Sequence, residues 1–273
     1  MARRRPLEWW RPIAAHRASE TPASVPFWTF MAFTAVMLLS PQNVWPGLAP
    51  LRPALLAATV AIVAHLVVRF LRGEPLLAFT PEVWIMAAIV AWATITIPLS
   101  RWPGGSLLFL LDSYLKTLAI FLLLINIVTT LTRLRQVVWA LSLTAIPLAA
   151  SAVHQYLSGN FMAGGSLKRI SGYDAPFTAN PNDLALMLNL ILPLSVALLF
   201  ATRSTLLRIV LLATIFLSVV AVISTFSRGG FLTLATIVLM CLCKRHPSPA
   251  KGWTWVVLVL LLAAIPLLPS GYT

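Results

Sequence analysis

Apolar runs long enough to cross a bilayer follow one another along almost the whole chain, separated by short polar links. A helix needs about 20 apolar residues to span the hydrocarbon layer, because each residue advances it by only about 1.5 Å. The runs fall at about 27–45, 54–71, 83–100, 107–128, 136–157, 183–201, 206–226, 230–243 and 253–268. Ser40-Pro41-Gln42-Asn43 interrupts the first, and the eighth is short for a full crossing. The runs are continuously apolar and do not alternate, which excludes a β-barrel. Composition agrees: 59% of the 273 residues are hydrophobic and 10% are charged, a balance foreign to soluble domains. The predicted fold is all-α, a polytopic membrane helical bundle of about nine transmembrane helices.

The position of the cations orients this bundle, because Lys and Arg accumulate in cytoplasmic links. With the N-terminus cytoplasmic, the inner set is Arg3, Arg4, Arg5, Arg11, Arg17, Arg69, Arg72, Arg133, Arg135, Arg203, Arg208, Lys244, Arg245 and Lys251. The outer set is Arg52, Arg101, Lys168, Arg169 and Arg228, and Lys116 lies within a span. The asymmetry predicts a cytoplasmic N-terminus and a periplasmic C-terminus. The net charge of +13 is spread over these links, with no basic face interleaved with aromatics, so nucleic acid is not an expected partner. Trp28, Trp84, Trp139, Trp253 and Trp255 fall near span ends, as interfacial anchors do.

The chain divides into a basic cytoplasmic segment (1–26), an N-terminal set of helices (27–157) and a region that opens on a polar loop (158–273). The basic start is not a cleavable signal, since the first apolar run begins only near Phe27 and no small-residue cleavage site follows. Leu7-Glu8-Trp9-Trp10-Arg11 suits an anionic membrane surface. Cys241 and Cys243 lack metal or redox spacing and are read as small residues buried at the end of an apolar run, and a disulfide framework is excluded. No internal repeat is found, which weakens an inverted-repeat transporter.

Between the fifth and sixth runs lies a polar island from Ser166 to Asp183. Asn180-Pro181-Asn182-Asp183 reads as a helix start, with Asn180 at N-cap, Pro181 at N1 and Asp183 at N3 bonding back as in a capping box. A capped helix start also presents free N–H groups and a positive dipole end, which favour phosphate. Lys168 and Arg169 just upstream are either solvated loop charges or a pair that neutralises a phosphate or pyrophosphate. Ser227-Arg228-Gly229-Gly230 turns the seventh run into the eighth. Ser227 suits a cap, and Arg228 either binds an anion or snorkels to the interface. The charge map puts this turn on the same, outer face as the island.

Other polar residues have structural readings. Asp112 and Lys116 are four apart on one helix and are read as an internal ion pair. His65 and His154 are read as packed and hydrogen-bonded. Tyr173 and Asp174 either touch sugar hydroxyls or shape the loop. No metal constellation, phosphate-binding glycine loop or nucleophilic triad is visible, so no cofactor is expected and no catalytic residue is assigned.

Arg169-Ile170-Ser171-Gly172, Phe177-Thr178-Ala179-Asn180-Pro181-Asn182-Asp183-Leu184-Ala185 and Ser224-Thr225-Phe226-Ser227-Arg228-Gly229-Gly230 together resemble the O-antigen ligase and polymerase-like family of bacterial membrane glycosyltransferases. The resemblance covers roughly residues 110–273. It implies glycan transfer from an undecaprenyl-pyrophosphate carrier to an acceptor glycan, lipid or protein, at the periplasmic face of the inner (cytoplasmic) membrane. Lipopolysaccharide and other cell-envelope polysaccharides are the products so implied. It also implies arginines that engage the pyrophosphate, with Lys168, Arg169, Asn180, Asn182, Asp183, Ser227 and Arg228 as the substrate-binding set. Family members continue into a long outer loop bearing further Arg and His residues. The chain is therefore expected to be a fragment, or else a degenerate homologue, with little activity as it stands. The alternative expectation is a non-enzymatic transporter or scaffold for lipid-linked oligosaccharide.

Overall fold

The computed structural model describes residues 24–77, 80–161, 169–170, 172–175 and 178–245, with backbone alone at 44, 112–113, 115–116 and 242–245. The basic N-terminal segment, the ninth run, Lys168, the Asp112–Lys116 pairing and the Cys243 side chain lie outside the described residues.

The described chain is helical. The main helices are α1 (Ser24–Leu39), α2 (Pro53–Leu71), α3 (Pro81–Thr96), α4 (Pro103–Phe109), α5 (Leu115–Ile127), α6 (Leu131–Leu157), α7 (Pro181–Ala201), α8 (Thr205–Ser224) and α9 (Arg228–Arg245). Among the described residues the one extended pairing is an isolated antiparallel bridge between Phe161 and Ile170. Proline sets many of the starts: α2, α3, α4 and α7 each begin on one. Its fixed φ suits the first helical residue, and its missing N–H would have no partner there.

Five helices are long and apolar enough to cross a membrane: Pro46–Leu71, Pro81–Leu99, Leu131–Leu157, Pro181–Ala201 and Thr205–Ser224. They make the chain a multi-pass membrane protein. Shorter apolar helices at Ser24–Leu39, Thr117–Ile127 and Arg228–Cys241 coincide with the first, fourth and eighth runs. The first run breaks where the sequence predicts: Ser40 takes a left-handed conformation, with φ 42, and ends α1 before Pro41. The fourth is divided by a π-helical turn at Leu110–Tyr114. Phe70, Leu99 and Leu131 are each about four-fifths exposed, as lipid-facing residues are. Trp28 and Trp84 are exposed near helix starts, consistent with interfacial anchoring.

The chain forms two compact units, one of residues 1–33 and 55–134, the other of residues 34–54 and 135–273. In the first, His65 is buried and its Nε2 lies 3.2 Å from the Leu76 carbonyl, the packed role expected of it. Arg69 and Arg72 pair with Glu74 at 3.1 and 3.8 Å, closing the link after α2. This unit buries little: the most apolar windows of Pro46–Leu71 and Pro81–Leu99 are 11% and 6% buried, against 39% and 44% for α6 and α7. The packed core is therefore in the second unit.

That core follows helical periodicity. Ala145, Leu148, Ala149 and Ala152 make one stripe on α6, and Leu184, Ala185, Leu188, Ile191 and Leu192 make one on α7. Spacings of three and four place such residues on one face. The alanines allow close helix approach, which is how membrane helices gain contact without a hydrophobic drive from lipid. Ser142 Oγ and Ser195 Oγ meet at 2.8 Å between α6 and α7. At the other end Asn189 Nδ2 donates to the Gly230 carbonyl at 2.9 Å. A Cβ on Gly230 would stand 2.6 Å from Ala185 Cβ, so the first turn of α9 fits against α7 only because residue 230 is glycine. Cys241 is exposed, which corrects its reading as buried. A small apolar side chain costs nothing on a surface that lipid covers.

Candidate anion site at two helix starts

The site lies at one end of the second unit, where α7 and α9 both begin. Asn180 caps α7 as predicted: its Oδ1 accepts from the backbone N–H of Asn182 at 2.9 Å and of Asp183 at 3.0 Å. The return bond differs from a capping box. Asp183 Oδ2 accepts from the Asn180 side-chain amide and not from its backbone, because an Asp is one methylene short of the usual Glu. Ser227 caps α9: its Oγ accepts from Gly230 N at 3.1 Å. Thr225 Oγ1 in turn accepts from Ser227 N at 3.2 Å. Phe226 bends the chain into this cap with φ 50, a left-handed conformation that costs a non-glycine residue about 1 kcal/mol or more.

Arg169 joins the two starts. Its Nη2 donates to Asn182 Oδ1 at 3.1 Å and to the Phe226 carbonyl at 3.3 Å. Its Nε is buried and meets no acceptor among the described residues. A buried guanidinium N–H without a partner is costly, and an anion or water at that position would remove the cost. Arg228, the first residue of α9, is exposed. A cation there stands at the positive end of its own helix dipole, the unfavourable end. Two helix starts and two arginines thus concentrate positive potential, with the exposed Asp183 carboxylate as the negative group in the α7 cap.

The described residues around Arg169 are anchored to the rest of the second unit. Ile170, the next residue, is fully buried in the core cluster. Gly172 has φ 83, and a Cβ there would lie 2.5 Å from the Thr178 carbonyl. Gln155 on α6 donates to the Gly172 carbonyl at 2.7 Å. Thr178, almost fully buried, closes the loop by donating to the Tyr173 carbonyl at 3.0 Å. Tyr173 itself donates to the Leu39 carbonyl at 2.6 Å, at the end of α1, and burial pushes its phenol pKa up. Its hydroxyl is committed to the backbone, so of its two expected roles the structure supports shaping the loop.

The structure brings together Arg169, Asn180, Asn182, Asp183, Ser227 and the start of α9 that carries Arg228. Asp174 is exposed, and so is His154, which corrects its reading as a packed histidine. Sequence reasoning missed Gln155, Phe226 and Asn189. Asn189 had a signal, since a buried amide in an apolar run marks a packing or functional contact. Phe226 had none, because a left-handed aromatic follows from the turn and not from its residue type.

No protein-family model, curated protein or solved structure matches the chain.

Proposed function

We propose that the protein transfers glycan from an undecaprenyl-pyrophosphate carrier to an acceptor glycan, lipid or protein, in the manner of O-antigen ligases and polymerases, at the periplasmic face of the bacterial inner membrane. The observation that carries this reading is Arg169 spanning two capped helix starts, with a buried Nε that meets no acceptor among the described residues. In the transfer, an acceptor oxygen bonds to the anomeric carbon and the sugar–phosphate bond breaks. The pyrophosphate leaves with the bonding electrons, and the acceptor's proton passes to a base. Negative charge grows on the leaving group, and fixed donors and dipoles aimed at it lower the barrier without a metal.

The proposed topology has nine spans, a cytoplasmic N-terminus and a periplasmic C-terminus, by the cation asymmetry. A single cysteine introduced at position 228, in a background lacking Cys241 and Cys243, should be labelled by impermeant reagent from outside intact cells. Protection there, with labelling at position 247, would invert the map.

Transfer is tested with the full-length protein in proteoliposomes containing glycan-bearing undecaprenyl pyrophosphate and envelope acceptor lipids. The expected result is release of free undecaprenyl pyrophosphate, dependent on the acceptor. Movement of the intact donor across the bilayer, without release, would favour the transporter reading instead.

A further inference from the structure

A second feature borders the arginine. Tyr156, in the last turn of α6, lies 5.9 Å from the Phe226 ring, tilted by 40°, and 6.1 Å from the Phe161 ring, edge-on at 77°. Tyr156 remains 41% exposed, so the cluster is not closed over. Phe226 belongs to both features: its ring contacts Tyr156, and its carbonyl accepts from Arg169. An aromatic surface and a guanidinium are therefore tied to one residue.

We propose that this aromatic cluster is a carbohydrate subsite, on which the pyranose attached directly to the pyrophosphate stacks against Tyr156. The proposal rests on the anion reading of Arg169 given above. A sugar linked to a phosphate carries its ring one glycosidic oxygen away from the charge, so its subsite must adjoin the anion site, as Tyr156 and Phe226 do. One face of a pyranose is lined by C–H groups of slight positive character, and an aromatic face is negative. The ring hydroxyls need polar partners, and the exposed Asn182, bonded to the same Arg169 Nη2 as the Phe226 carbonyl, is the candidate. An apolar platform beside a few fixed polar groups is the usual composition of a small-molecule site. An interfacial anchor would be satisfied by a tyrosine standing alone on the helix surface. Here the ring meets both Phe226 and Phe161, and Phe226 also takes a hydrogen bond from the cation.

The test compares two probes on the full-length protein in nanodiscs: undecaprenyl pyrophosphate, and the same lipid carrying one pyranose from a panel that includes N-acetylglucosamine, glucose and galactose. Wild type should bind at least one glycosylated lipid about tenfold more tightly than the bare one. Tyr156→Leu, which keeps apolar bulk without the π face, should abolish that increment and leave bare-lipid affinity within about twofold. Tyr156→Phe should retain it. If Tyr156→Leu keeps the increment, or weakens both probes equally, or if wild type shows no increment for any pyranose, the subsite is overturned and the cluster is an interfacial anchor. If wild type binds neither lipid, the anion reading itself fails, a distinguishable result. Thermal unfolding of each variant reports folding, and Tyr156→Phe carries the comparison should Tyr156→Leu unfold.

Discussion

Replacing Arg228 with lysine is expected to slow the proposed glycan transfer by about a hundredfold or more in the full-length protein, with folding and insertion normal. One preorganised donor aimed at developing charge contributes about 2.7–4 kcal/mol to the transition state. Lysine keeps the positive charge but loses the planar fork that can give two parallel hydrogen bonds to a phosphate. The exposed position at the first residue of α9 leaves room for lysine without repacking. The measurement is the initial rate of undecaprenyl pyrophosphate release, read beside the thermal unfolding of the same preparation. Transfer near the wild-type rate would mean that position 228 needs only a cation at the interface, and the snorkelling reading would hold.

Arg169→Ala acts earlier, on binding. The guanidinium ties Asn182 to the Phe226 carbonyl, so its loss removes a donor and loosens the two helix starts from each other. A charge-assisted contact to phosphate contributes roughly 1.5–3 kcal/mol, so donor affinity should fall by about tenfold to a hundredfold. The loss should shrink as salt rises, because an interfacial charge contact is screened. Equal affinity of wild type and variant, titrated at low salt, would reduce Arg169 to a structural tie between α7 and α9.

These two arginines also mark how far the sequence could be read. Hydropathy located the described helices because lipid admits little else: a segment without internal backbone hydrogen bonds does not survive there. The start at Pro181 and the caps at Asn180 and Ser227 were legible, since capping is chemistry between residues a few positions apart. The juxtaposition of Arg169 with Phe226 was not. It depends on how α7 and α9 pack, which is fixed by Gly230 lying against Ala185 and by Asn189 reaching the Gly230 carbonyl. Long-range contacts of that kind leave no local pattern. The break in the fourth run followed the same rule, since nothing in Leu110–Tyr114 announces a π-helical turn.

The end of the second unit where α7 and α9 begin is proposed to hold a lipid pyrophosphate. This is tested most directly by the affinity of the full-length protein, in nanodiscs, for undecaprenyl pyrophosphate against undecaprenol. The two ligands share a tail, so the difference isolates the anion. The pyrophosphate should bind at least about tenfold more tightly, since even one charge-assisted contact supplies that much, with Arg169→Ala abolishing most of the preference. Equal affinity for the two lipids would contradict it.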